Sequence, residues 1–432
     1  MSAADAVVVG VGVVVLTLLV LLSTRSLVLA GVCIGVAGLA LALAVLGSRR
    51  LGTLAVLGAF ATVPMYKGLA VAGPITVPDA LFVLGFGLLA FELLRGRPRA
   101  PLAYFVGVGL VCLSGIMAAL LNSPSKTLPA LSFWLITIFV LPMAIAAWHP
   151  APRVLDALAW AYVIGQVVDT GYAAIHDGTQ GLRWYGLSTQ PNYLGQCGLL
   201  AICLLMFLHH RVRPNHRWIV WAAGAVCAAG VFFSGSRAAA VVLAVIILLV
   251  PLVERTGRSV TFAAVCGALG VLAGGFLLGT SGSSSTSVLG RFTGGGTAQG
   301  SDQMREQGLS NGWHQFLSNP IGGHGLSTNE LFLIHNNLLE ILVGVGIFGL
   351  AGYLLVLWTL GRIVLTELPL RRLGYAVIAY LGFGLTVPAL YDRSIWAVVG
   401  LALLAYQKPQ PQAILAADRR SPAREPIQKV VA

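Results

Sequence analysis

The stretch SDQMREQGLSNGWHQFLSNPIGGHGLSTNELFLIHNNLLEILVGVGIFGL, from Ser301 to Leu350, decides how the rest of the chain is read. Asp302 to Leu317 is charged, with gapped apolar residues that suit a helix lying at a membrane interface. A Pro-Gly turn follows from Asn319 to Gly325, and His335-Asn336 then stand at the mouth of a long apolar run. A polar patch carrying Arg305 and His335, set against a helix of hydrocarbon length, is hard to account for as packing. The remaining chain is therefore read as the embedded frame that holds this patch.

Composition agrees. Of 432 residues, 57% are apolar and only 10% charged, and the mean hydropathy is +0.86, whereas a soluble chain carries roughly 25% charged residues. The chain is thus expected to be an all-α, polytopic integral membrane protein. Crossing the hydrocarbon takes about 20 mostly apolar residues, and such runs recur often enough to predict about 12–14 transmembrane helices. They include Ala6–Leu22, Leu27–Leu46, Leu51–Ala72, Val77–Leu94, Leu128–Trp148, Val260–Leu278 and His335–Leu360. The first run has no basic residue ahead of it and reads as a retained helix rather than a signal peptide. Residues 1–406 form one transmembrane domain that includes a single long extracytoplasmic loop, 280–334, opened by the Gly/Ser segment Thr280 to Ser287. Residues 407–432 are a basic, proline-bearing tail expected to be disordered. The six cysteines lie inside apolar runs without C-x-x-C spacing and read as packing.

The formal charge of +12 would fit a nucleic-acid partner by magnitude, but its distribution is that of a membrane topology. If the N-terminus is cytoplasmic, 19 of the 27 basic residues fall in cytoplasmic connections or the tail. The others are Arg25, Lys67, Lys126, Arg183, Arg237, Arg291, Arg305 and Arg393. The positive-inside bias therefore predicts both termini in the cytoplasm and no nucleic acid as partner. Asp169, towards the outer end of its run, is expected to face the protein interior, because charge in hydrocarbon is costly.

Half of the outward cations sit in distinctive contexts. Arg183 lies in GLRWYGLSTQPN, which ends at Asn192 where a helix starts. Arg237 follows the tight turn Ser234-Gly235-Ser236, and Arg291 and Arg305 precede the helix that begins near His335. In this topology three helices begin at the same face as these cations. Their free N–H groups and positive dipole ends, joined by arginine forks, suit a phosphate-bearing anion, predicted to be a lipid headgroup. His335 is the candidate for proton chemistry, since an imidazole titrates near neutrality. Glu340, five residues on, would fall on another helical face and is set aside as its partner. His314, His324 and His335 are ten and eleven residues apart, unlike the short spacings of zinc sites. The site is read as holding no metal and no cofactor.

Four blocks resemble the O-antigen ligase/polymerase superfamily of membrane glycosyltransferases: RWYGLSTQPNYLG (Arg183 to Gly195), SGSRAAAV (Ser234 to Val241), Ser301 to Leu326, and HNNLLEILVGVGIFGL (His335 to Leu350). They stand in the family's order, and the last two are the most specific. The resemblance implies a GT-C-like enzyme of the bacterial cytoplasmic membrane with an extracytoplasmic, metal-independent site. Such an enzyme moves a glycan from a polyprenyl-diphosphate carrier to a hydroxyl of a lipid, glycan or protein acceptor. It also implies that Arg237 and Arg305 hold the diphosphate, with Arg291 an alternative to Arg305, and that His335 activates the acceptor. Arg183, Asn192, Trp313 and Asn336 would contact substrate. The rival reading is a transporter or flippase of an anionic lipid-linked substrate, which should carry its charges near mid-membrane.

Overall fold

The computed structural model describes residues 27–72, 75–177, 183–254, 298–326 and 334–407. The expected helices Ala6–Leu22 and Val260–Leu278 lie outside the described residues, as do Arg25, Arg291, the Gly/Ser segment Thr280 to Ser287 and the tail from Lys408.

The described chain is helical almost throughout. In order it forms α1 (Leu27–Thr62), α2 (Val77–Leu88), α3 (Ala90–Arg95), α4 (Leu102–Leu121), α5 (Pro124–Leu135), α6 (Leu141–Trp148) and α7 (Pro152–His176). Then come α8 (Pro191–His209), α9 (Arg217–Phe233), α10 (Arg237–Glu254), α11 (Ala298–Ser318), α12 (Asn337–Gly361), α13 (Gly374–Gly384) and α14 (Arg393–Gly400). Seven helical stretches among the described residues are long and apolar enough to cross a bilayer, which bears out the all-α membrane architecture.

Several elements depart from continuous runs. The run expected over Leu51–Ala72 ends in a 3-10 turn, Val63–Leu69, followed by a two-stranded antiparallel hairpin, Ala70–Ala72 with Ile75–Thr76. The run Val77–Leu94 is divided at Leu89 into α2 and α3. A π-helical turn, Ile136–Val140, joins α5 to α6. Thr76 starts α2 through a capping box: its backbone N–H and hydroxyl both donate to Asp79 Oδ2, at 2.9 and 2.6 Å.

The bundle is built around α8, in which every residue from Tyr193 to His209 is buried. Helices α7, α9, α10, α13 and α14 pack on it. Pro191 sits in its first turn, where a missing N–H costs nothing. Beside this centre, α4 and α12 meet backbone to backbone: a Cβ on Gly107 would lie 2.6 Å from the carbonyl oxygen of Gly352, and one on Gly352 would lie 2.6 Å from that of Gly107. Small residues at such a crossing permit the close approach that drives helix association in lipid.

The charged side chains of the described residues are largely paired. Arg49 pairs with Glu92, Arg211 with Asp156 and Arg372 with Glu254. Arg237 and Arg305 pair with Asp302, and Arg393 with Asp79.

The helix α12 is not the continuous run expected from His335 to Leu360. It consists of two helical segments meeting at Gly346, whose φ of 71° and ψ of −173° suit only glycine. The break frees backbone groups, and the turn after α11 takes them up. His324 N–H donates to the Val343 carbonyl at 2.7 Å, Gly325 N–H to that of Gly344 at 2.9 Å, and Ile347 N–H to that of Pro320 at 3.0 Å. Irregular backbone inside a membrane protein is tolerated where protein groups satisfy it in this way.

Candidate active site

The arginine-bearing turn comes first. Ser234 closes α9, Gly235 adopts a left-handed φ of 63°, and α10 begins at Arg237. The Ser234 hydroxyl donates to the Val231 carbonyl at 2.8 Å, which holds the turn against the end of α9. Arg183 braces the same turn: its Nε donates to the Ser234 carbonyl at 2.8 Å and its Nη2 to Asn192 Oδ1 at 3.2 Å. The loop carrying Arg183 is itself pinned by two buried carboxylates. Asp177 accepts the N–H groups of Tyr185 and Gly186 at 2.8 and 2.9 Å, and Asp169 accepts that of Leu187 at 2.6 Å. Asp169 does face inward, and its contact is structural.

Arg237 and Arg305 come together on one atom. Asp302 Oδ1 receives Arg237 Nη2 and, at 3.4 Å, Arg305 Nη1. The side chains of Arg237 and Arg305 are 22% and 26% exposed, that of Asp302 50%. Burial and the adjacent Arg237 charge hold Arg305 below the usual arginine range, opposed by Asp302. One carboxylate between two forks leaves net positive charge at a partly desolvated rim, an arrangement suited to an oxyanion.

The helix α11 that supplies Asp302 and Arg305 packs on the first segment of α12, where Phe316 joins Ile334, Leu339 and Val343 in a small apolar cluster. Its Leu309, Trp313 and Leu317 are exposed instead. Trp313 is half exposed and tilted against Phe316, with ring centroids 5.4 Å apart.

Beside this lies a cleft of about 480 Å³, lined among others by Lys67, Gln190, Asn192, Tyr193, His335, Glu340, Tyr391 and Asp392. His335 and Asn192 therefore share one cavity. Through Asn192 it is joined to Arg183, and through Arg183 to the turn that starts at Ser234 and leads into Arg237. Arg183, Arg237 and Arg305 are not among the residues that line the cleft itself. The sequence-derived set thus resolves into two adjoining parts, an arginine pair and a cleft. Arg291 lies outside the described residues.

Asn336 is occupied at both ends of its side chain. Its Oδ1 caps α12 by accepting Leu339 N–H at 3.0 Å, and its Nδ2 donates to the Leu385 carbonyl at 3.1 Å. Because the helix begins only at Asn337, His335 precedes the cap and is not bound by helical spacing. Glu340 is therefore not set apart from His335 by helical face, and both line the same cleft.

Sequence reasoning missed the far wall. Asp392, 7% exposed, accepts the Tyr66 hydroxyl at 2.6 Å on Oδ1 and the Tyr193 hydroxyl on Oδ2. Burial pushes its carboxyl above the usual carboxylate range, while Lys67, the two phenols and Arg393 oppose the shift. Lys67 Nζ sits 3.4 Å from the Tyr193 ring centroid. Of these residues only Lys67 carried any signal in the sequence, as one of the few cations on the outward side.

Residues 222–354 match the O-antigen ligase family. The matched span contains Arg237, Asp302, Arg305, His335, Glu340 and the break at Gly346, so it takes in the arginine pair and one wall of the cleft. The match covers about a third of the chain and agrees with the resemblance to O-antigen ligases that the motifs carry. Lys67, Arg183, Asn192 and Asp392 lie outside the matched residues. No curated protein matches the chain.

Proposed function

We propose that this protein is a metal-independent glycosyltransferase that moves a glycan from a polyprenyl-diphosphate carrier to an acceptor hydroxyl at the extracytoplasmic face. The observation that carries the reading is the convergence of Arg237 and Arg305 on one oxygen of Asp302, beside a cleft holding His335. In the proposed reaction the arginine pair receives the diphosphate and neutralises the charge that grows as the bond from the sugar's anomeric carbon to the phosphate oxygen breaks. His335 takes the proton of the acceptor hydroxyl as its oxygen bonds to that carbon. The products are the extended acceptor and the free polyprenyl diphosphate. Arg183 and Asn192 tie the cleft to the turn before Arg237, and Trp313 stands on the exposed face of the same helix as Arg305.

The broken helix at Gly346 favours a transporter, since discontinuous helices form many transport sites. Here, however, the freed carbonyls of Val343 and Gly344 are taken by the backbone of residues 324 and 325, and Arg237 and Arg305 meet on Asp302. The enzyme reading accounts for both.

The test is to measure polyprenyl-linked glycans and surface polysaccharide by mass analysis in cells lacking the protein and complemented with wild type, Arg305→Ala or His335→Ala. Both variants should reach the membrane yet leave carrier-linked glycan accumulated. Full transfer by either variant sinks the assigned roles. Accumulated full-length chains identify a ligase, single repeats a polymerase. Activity should persist in excess chelator; loss that a divalent ion restores defeats the metal-free assignment.

A further inference from the structure

The outward cations differ in what they already hold. Arg183 is committed to the Ser234 carbonyl and Asn192, Arg393 lies 3.1 Å from Asp79, and Arg237 and Arg305 surround Asp302. Lys67 lines the cleft and makes weaker contacts: its Nζ rests on the Tyr193 ring, lies 5.9 Å from the centroid of the Tyr66 ring, donates to Gln190 Oε1 at a long 3.4 Å, and feels the charge of Asp392. Among the described residues no carboxylate oxygen lies within ion-pair distance of it. An ammonium has three donors, so donor capacity is left over for a ligand.

The seat under Lys67 is built. Tyr193 and Tyr66 meet edge to face with ring centroids 6.1 Å apart, and both phenols are anchored on the buried Asp392. The ring beneath the ammonium is therefore fixed in place, and the cation–π contact steadies a side chain that would otherwise be among the most mobile. Asp392 lowers the net charge of the cleft, but each of its oxygens already accepts a phenol and it is 7% exposed. Glu340 lines the cleft as well. A half-enclosed point charge on an oriented aromatic seat is suited to one substrate oxyanion. A cavity of about 480 Å³ has room for a sugar-sized group and not for a long glycan.

We propose that Lys67 is the anion-binding group of the cleft and receives a carboxylate or phosphate oxyanion of a substrate. This rests on the glycosyl-transfer reading for the nature of the substrates. The oxyanion has two sources, the carrier's diphosphate or an acidic sugar of the glycan, and the two give different results below.

The full-length protein in detergent is titrated with inorganic pyrophosphate and with an oligogalacturonate, maltotriose serving as the neutral control, for wild type, Lys67→Gln, Lys67→Met and Arg305→Ala. The Lys67→Met side chain keeps the apolar stem over Tyr193, so it separates charge from packing. Both Lys67 variants should weaken binding of one anionic probe about tenfold or more, the effect of losing a charge-assisted hydrogen bond. Loss confined to pyrophosphate assigns the diphosphate, and loss confined to oligogalacturonate assigns an acidic sugar. A parallel measurement needs no variant: acetylation of Lys67, followed by mass mapping, should slow when the effective probe is present. Unchanged affinity for both probes in the Lys67 variants, absence of binding by wild type, or unprotected Lys67 overturns the proposal. If Arg305→Ala alone loses pyrophosphate and neither Lys67 variant loses oligogalacturonate, the glycosyl-transfer reading survives and the Lys67 assignment falls. If Arg305→Ala binds pyrophosphate as wild type does, the reading itself is in trouble, whatever Lys67 does.

Discussion

Asn337 Oδ1 accepts the backbone N–H of Ala389 at 2.8 Å, which hangs the segment before Asp392 from the residue that opens α12. Its Nδ2 meanwhile donates to the Tyr380 hydroxyl at 3.3 Å, which is itself bonded to Tyr353. Two residues after His335, the chain thus fixes the wall formed by Val387, Pro388, Leu390, Tyr391 and Asp392. Asn337→Ala should leave a buried N–H unmet and cost about 1–3 kcal/mol of stability. Its transfer rate should fall further than its melting temperature explains, while Asn337→Asp, which keeps the acceptor, should recover part of that rate. Equal loss in both variants would make Asn337 a packing residue only.

Asp302 occupies the position between Arg237 and Arg305 that the proposed diphosphate would take. Asp302→Asn removes a competing charge that is half exposed, so the gain is modest, about 1 kcal/mol or roughly fivefold tighter inhibition by pyrophosphate. Weaker inhibition in this variant would mean that Asp302 holds the arginines in place rather than competing with the ligand.

Asp392 yields a prediction with a definite sign. Its folded-state pKa is raised, chiefly by burial, so between the unfolded value of about 4 and that raised value the folded state binds more protons than the unfolded state. Stability attached to this group is fully present at low pH and is lost as pH rises through the raised pKa. The melting temperature of wild type should therefore fall relative to Asp392→Asn on going up in pH. Parallel curves for the two proteins over that range would refute a raised pKa.

Gly346→Ala meets two obstacles at once. Its φ of 71° is closed to most side chains, and a Cβ there would sit 2.3 Å from the Ile321 carbonyl oxygen. We expect a loss of about 1–3 kcal/mol and reduced transfer, read by thermal unfolding and by the accumulation of carrier-linked glycan. An alanine variant with wild-type melting would mean that the break is not needed.

The helical bundle was legible because hydrocarbon length is a local property of the sequence, and the apolar runs survive as helices. The pairing of Arg237 with Arg305 was foreseeable as convergence at helix starts. The carboxylate between them was not, because Asp302 reads as one charge on an amphipathic segment. The break at Gly346 was hidden because glycine is common in membrane helices, and only the turn at residues 320–325 reveals that its neighbours' carbonyls bond elsewhere. The roles of Lys67, Tyr66, Tyr193 and Asp392 depend on contacts spanning up to 326 residues, which no periodicity encodes.

The interlock between residues 320–325 and the broken α12 also limits how this region can be exchanged. The carbonyls of Val343 and Gly344 and the N–H of Ile347 complete the turn that follows α11, so the loop and the helix start are one cooperative unit. A chimera that swaps residues 298–326 to change specificity must transplant 337–347 with them, because a foreign turn would leave those backbone groups without their partners.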